Sequence, residues 1–118
     1  MFVRHFTGSL VGVDRGSVIL FSDFENGGPM WTGNGPREKR VTVEFGGKFK
    51  GPPVVQANIS MWDLDRRTNL RADLSVDDVT PTGCTIVFKT WGDTRIARIR
   101  ADWTAIGEIP AEDDWDVV

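Results

Sequence analysis

The chain has 118 residues, one domain's worth, which excludes multidomain machinery and most barrel-sized enzymes. With 40% hydrophobic and 26% charged residues, it has the composition of a folded protein that buries roughly two-thirds of its unfolded surface. Fourteen Lys+Arg against 17 Asp+Glu leave a net charge of −3; with no basic excess to gather a phosphate backbone, nucleic acid is not expected as a partner.

The charge is uneven. Glu108, Glu112, Asp113, Asp114 and Asp116 form an acidic C-terminal stretch over 108–118, and without those five the remaining 12 acidic groups face 14 basic ones, a net of +2. A single cysteine, Cys84, forbids an intrachain disulfide, and a single histidine, His5, leaves no Cys/His zinc site, so no metal and no cofactor are expected. No apolar run reaches the ~20 residues of a membrane helix. The N-terminus has no apolar segment followed by a small-residue cleavage site. The compartment therefore stays open, secretion and the cell surface included.

Thirteen Gly and 6 Pro punctuate short stretches of alternating polarity, the cadence of an all-β chain. Thr7 to Val13 reads as a first strand and Ser17 to Phe21 as a second, separated by a turn at Asp14-Arg15-Gly16. Residues 22–38, rich in Gly and Pro and holding two Asn-Gly steps, read as a long ordered loop, with Met30 and Trp31 packing it on the body and a functional role preferred. From Arg40 the alternation Val41, Val43, Phe45 marks a strand, followed by a Gly46-Gly47 turn and a strand start at Pro52-Pro53.

Val55, Ala57, Ile59 and Met61 then share one face, and Leu70, Ala72, Leu74 and Val76 share another in the next strand. Pro81-Thr82-Gly83 turns the chain into the Cys84, Ile86, Phe88 strand. Trp91-Gly92-Asp93-Thr94 reads as a hairpin into the longest strand, Arg95 to Gly107. There Ala97, Ile99, Ala101, Trp103 and Ala105 suit a buried side, while Ile96, Arg98, Arg100, Asp102, Thr104 and Ile106 form a mixed outer stripe, with Asp73 and Asp77 as expected partners of Arg98 and Arg100. No helix is evident. About seven short antiparallel strands make a β-sandwich the expected architecture of one unit spanning 1–118, with a small barrel second. Trp115 anchors the tail to the body or docks on a neighbour.

Catalysis has little to work with. There is no Tyr, Cys84 lies in an apolar strand pattern and reads as a small core residue, and His5 lies near a terminus where solvation is expected. Asp63 and Asp65 are the best carboxylate pair for glycosidase-like acid/base work or a hard cation, but Asp-X-Asp before Arg66-Arg67 equally describes carboxylates paired with arginine in a polar loop, the preferred reading. The expectation is a protein that is not an enzyme.

Recognition fits better. A sugar offers C–H faces to an aromatic ring and vicinal hydroxyls to Arg, Asp or Asn groups. Trp91, Arg71 and the Gly33-Asn34-Gly35 loop supply those residue types, although Trp91 alone also suits a packing aromatic and Arg71 alone a surface ion pair.

The motifs Val43-Glu44-Phe45, Gly51-Pro52-Pro53-Val54-Val55, Asp63, Asn69-Leu70-Arg71, Val79-Thr80-Pro81-Thr82-Gly83, Thr90-Trp91, Asp93-Thr94 and Trp103-Thr104-Ala105-Ile106, spread over about residues 38–107, resemble the H-type lectins. The resemblance implies a six-stranded antiparallel β-sandwich that assembles into homotrimers or hexamers, with shallow sites for glycans of galactose or N-acetylgalactosamine type between protomers, in recognition or cell adhesion. It also implies that the outer stripe of the last strand meets another protomer. Its site arginine matches Arg71, its tryptophan from the neighbouring protomer matches Trp91, its aspartate matches Asn34, and its glycine two residues earlier matches Thr32 or Gly33. The family histidine corresponds to Gly92 and its tyrosine to Ala97, so both walls are trimmed and Asp93, Trp31 or Arg95 is left to complete the pocket. The expected carbohydrate-binding set is thus Arg71, Trp91, Asn34, Gly33, Gly92 and Asp93. The runner-up is an oligomeric structural or docking module of a larger assembly that has lost sugar binding; a glycosidase is third.

Overall fold

A computed structural model describes residues 3–7 and 10–110; the expectations for Gly8, Ser9 and Trp115 lie outside these. Six strands form in chain order: β1 (Val11–Ser22), β2 (Arg37–Glu44), β3 (Val54–Leu64), β4 (Asp73–Thr80), β5 (Gly83–Thr90) and β6 (Ile96–Glu108). They make two three-stranded antiparallel sheets, ordered β1-β6-β3 and β2-β5-β4, so the expected all-β sandwich is the fold, with six strands among the described residues.

Each sheet puts its most apolar strand in the middle, where both neighbours satisfy the backbone. From β5 the side chains of Cys84, Ile86 and Phe88 are buried, and from β6 those of Ile99, Ala101, Trp103 and Ala105. Aromatic pairs bridge the sheets: Phe21 and Phe88 have ring centroids 5.5 Å apart, and Phe45 and Trp103 lie 5.6 Å apart. Each fully buried Phe or Ile contributes about 1.5–3 kcal/mol. Cys84 is one of these core residues, and burial pushes its thiol up. His5 is exposed.

Six local expectations are corrected. Residues 14–16 do not turn: β1 runs straight through them, because Gly16 lets the strand lie on the Trp103 ring, where a β-carbon would stand 2.8 Å from the indole. Within 22–38, Pro29–Thr32 makes one helical turn, α1, where the sequence pattern shows no helix. Leu70 lies before β4 and is exposed.

The remaining three corrections concern β6. Ile96 belongs to the core, fully buried, because the β3–β6 register shifts between Asp63 and Leu64. Because β5 and β6 belong to different sheets, residues 91–95 cross between sheets and are not a hairpin. The same division separates Arg98 and Arg100 from Asp73 and Asp77. Arg98 instead meets Asp63 at 3.5 Å, Arg100 donates to Ser60 Oγ at 3.0 Å, and Asp77 pairs with Arg40.

Candidate functional site

The crossover from β5 to β6 is where chemistry-bearing residues gather, since it must pass over the end of the sandwich between two fully buried threonines, Thr90 and Thr94. Their hydroxyls are four residues apart and clasp the segment leading into β4. Thr90 Oγ1 donates to the Arg71 carbonyl at 2.7 Å, while the Thr94 hydroxyl accepts from the Arg71 N–H at 3.2 Å and donates to the Asn69 carbonyl. Irregular backbone under a sheet end thus finds its partners in side chains, and Arg71 is anchored on both its N–H and its C=O.

The side chain of Arg71 lies over Gly92, whose φ of +70° is in the left-handed region. Nη1 donates to Asp93 Oδ1 at 2.8 Å. Asp93 also accepts from the Asn69 side chain at 3.3 Å and from the Asn69 backbone at 3.4 Å. Arg71 beside it, helped by the Asn69 donors, holds the Asp93 carboxyl below its ordinary range. One of five guanidinium N–H groups is committed to Asp93, and the side chain is one-third exposed. The fork is therefore aimed and still able to donate outward.

The loop before β2 is tied to the same glycine from the other side. The Gly92 carbonyl accepts from Gly35 N–H at 2.9 Å and from Arg37 Nη2 at 3.1 Å, and Arg37 Nε donates to the Gly35 carbonyl at 2.9 Å. Asn34 is exposed beside this clasp, its Oδ1 accepting from Gly35 N–H at 3.0 Å. Trp91 is 44% exposed and lines a groove with Pro36, Arg37 and Glu38. Gly33 closes α1 by donating to the Pro29 carbonyl, and a β-carbon there would stand 2.4 Å from that oxygen. Gly33 thus has a backbone reason to be glycine, and the Thr32 hydroxyl is committed to the Gly28 carbonyl at 2.9 Å.

The chain therefore gathers Arg71, Gly92, Asp93, Asn34 and Trp91 at one end of the sandwich. Trp31 and Arg95 are instead joined to each other. Arg95 Nε donates to the Trp31 carbonyl at 2.8 Å and its guanidinium stacks 5.2 Å from the ring centre. Asp63 and Asp65 also part company. Asp65 is buried and accepts from Arg67 Nε and Nη2, both at 2.9 Å, and from the Arg67 N–H, which lowers its pKa to about 2, whereas Asp63 faces Arg98. The polar-loop reading of Asp65 is the one realised.

Sequence reasoning missed Thr90, Thr94, Asn69 and Arg37 as supporting residues. The threonines carried a signal, since two hydroxyls flank Trp91-Gly92-Asp93. Arg37 carried none, because its partners are backbone carbonyls far along the chain.

A family model described as H-type lectin domain matches residues 40–106, more than half of the chain. A protein of Fuscovulum blasticum named "ATP synthase subunits region ORF 7" is 57% identical over 110 residues, covering 93% of this chain and 96% of the relative. Discoidin-1 from Dictyostelium discoideum is 35% identical over 75 residues, 63% of this chain and 30% of the relative. The solved structure of discoidin II from the same organism superposes with a TM-score of 0.74 at 21% identity, over 89% of this chain and 40% of that one. The chain thus spans less than half the length of these discoidins.

Proposed function

The chain belongs to the H-type lectin domain family, and from that premise we propose that it binds carbohydrate through the Arg71 end of the sandwich, as an oligomer. The observation that carries this reading is the anchoring of Arg71. Its backbone is clasped by two buried hydroxyls and its guanidinium rests on Gly92 against Asp93, so a charge-assisted fork is presented to vicinal hydroxyls without reorganisation. Asn34 contributes an amide, and the Trp91 ring from an adjacent copy offers a surface for sugar C–H groups. Gly33, Gly92 and Asp93 shape and orient the site.

Assembly is supported by one end of the outer face of the β1-β6-β3 sheet, eight residues along β6 from Arg98. Val13, Ile106 and Val54 stand opposite one another across the three strands and are 65%, 38% and 46% exposed, an apolar row that a second copy would cover. Beyond it Arg100 and Asp102 offer charges to a neighbour. A shallow single-sugar site supplies about −4 kcal/mol, a millimolar dissociation constant; several sites on one rigid assembly raise avidity ~10²–10⁴-fold. Galactose or N-acetylgalactosamine remains the reference ligand class for the family, with Gly92 and Ala97 leaving a wider pocket.

A second reading, a docking module that has kept the sandwich and lost sugar binding, is favoured by Gly92 and Ala97 standing where the family carries histidine and tyrosine. A glycan array run beside a native-mass measurement separates the two. A lectin gives an oligomeric mass and glycan binding that Arg71→Ala removes without changing the mass. An oligomer with a blank array supports docking, and a monomer with a blank array ends both readings.

A further inference from the structure

A hollow of mixed polarity lies apart from the Arg71 guanidinium. It lies on the outer face of the β1-β6-β3 sheet, roofed by the loop that carries α1, and has a volume of about 430 Å³, within the range of small-ligand sites. Its base is a single cross-strand row, Ser22 of β1 opposite Arg98 of β6 opposite Asp63 of β3. Directly opposed residues stand about 4.5–5.5 Å apart, so a hydroxyl, a guanidinium and a carboxylate are spaced along one line. Arg98 and Asp63 are 3.5 Å apart and each about half exposed, a loose pair with donors and acceptors to spare.

The wall above this row is aromatic. Phe24 meets Trp31 edge to face with ring centres 4.9 Å apart. Trp31 is held in place by Arg95 stacked on it and bonded to its carbonyl, and Phe24 is 58% exposed. Ala97, with the smallest side chain that still has a β-carbon, lines the same hollow and leaves it open. Ala97 also stands at the family's tyrosine position, so the hollow adjoins the Arg71 end, but Ser22, Phe24, Asp63 and Arg98 make no hydrogen bond or ion pair with Arg71, Gly92 or Asp93.

We propose that this hollow is a second saccharide subsite, complete within one chain. The inference rests on the carbohydrate-binding reading above, and extends it to a place where an aromatic surface, a guanidinium and a carboxylate already converge without a neighbour. A sugar unit lies with a C–H face toward Phe24 and Trp31 and with adjacent hydroxyls over Asp63 and Arg98, accepting from the guanidinium and donating to the carboxylate. Two sites at one end of each protomer let a single chain engage an extended or branched glycan.

The test is a titration of the full chain with galactose, N-acetylgalactosamine and glucose, followed by NMR at the tryptophan indole N–H signals, with Trp31→Phe identifying the relevant one. The Trp31 signal is expected to shift saturably in the wild type and equally in Arg71→Ala, and to respond with roughly tenfold weaker affinity in Asp63→Ala and in Phe24→Ala. Asp63→Ala changes an exposed surface group, so a folded variant is assured even if Phe24→Ala disturbs the loop. A Trp31 signal that stays still while the array reports glycan binding overturns the second subsite and leaves the Arg71 site standing. A Trp31 shift that vanishes in Arg71→Ala also overturns it, since the hollow is then a part of that site. If no sugar moves any indole and the array is blank, both readings fall.

Discussion

The guanidinium of Arg71 lies on the backbone of Gly92, its Nη1 2.7 Å from where a β-carbon at position 92 would stand, and the glycine is in the left-handed region at φ +70°. Both facts oppose any side chain here, by different routes. The end of Arg71 is flexible and can swing aside, so the steric conflict costs binding geometry. The backbone conformation cannot adjust so easily and costs stability.

Gly92→Ala is therefore expected to lower stability by about 1–2 kcal/mol, seen as a Tm drop of several degrees. Gly92→Asn, which tolerates left-handed backbone, should lose less. Both variants displace Arg71 from Asp93 and weaken glycan binding. A Gly92→Ala protein with unchanged Tm would contradict the strained backbone.

The Arg71 and Asp93 pair makes a pH-dependent contribution whose sign follows from Asp93. Its folded pKa is depressed, so the stability it supplies is present above the ordinary carboxylate pKa and is lost as pH falls through the folded value. Melts of wild type and Arg71→Ala are expected to differ at neutral pH and to converge in acid, with the Asp93 carboxyl titrating higher in the variant. Equal Asp93 titration in both proteins would remove Arg71 as the cause.

Asp65 obeys the same sign over a lower window. Arg67 holds it charged down to about pH 2, so its contribution is complete above about pH 4 and disappears toward pH 2. Asp65→Asn should be less stable than wild type at pH 6, with the gap closing across that interval in urea titrations. A constant gap from pH 6 to pH 2 would point to packing and away from charge.

Thr94 is fully buried and its hydroxyl serves both the Arg71 N–H and the Asn69 carbonyl. Thr94→Val keeps the shape and strands both groups, at an expected cost of about 1–3 kcal/mol. Thr94→Ser keeps the hydroxyl and should retain glycan binding while losing only a methyl contact. If Val and Ser variants behave alike in urea unfolding and on the array, the hydroxyl is not what positions Arg71.

Much of the fold is legible because alternation along a strand is a local property with period two. Val55, Ala57 and Ile59, Cys84, Ile86 and Phe88, and Ile99 to Ala105 point to the core by their own order, and the core holds them. Ile96 and Leu70 depart from the pattern for the opposite reason. A register shift against β3 moves Ile96 inward, and the Thr90 and Thr94 clasp keeps the chain irregular through Leu70. Asp14-Arg15-Gly16 resembles a turn because glycine has two uses, and here it makes room for the Trp103 ring.

By itself the sequence determined the all-β class, the inward and outward faces of most strands, the H-type lectin family, and the residue types that recognise a sugar. Only the tertiary structure decided that Arg98 faces Asp63, that a loop glycine forms the bed of Arg71, and that Phe24 and Trp31 wall a second hollow. The difference is one of range. A side chain's face follows from its immediate neighbours, whereas sheet membership, bulges and the crossing of the 91–95 segment are settled by contacts between residues distant in the chain, which no local pattern encodes.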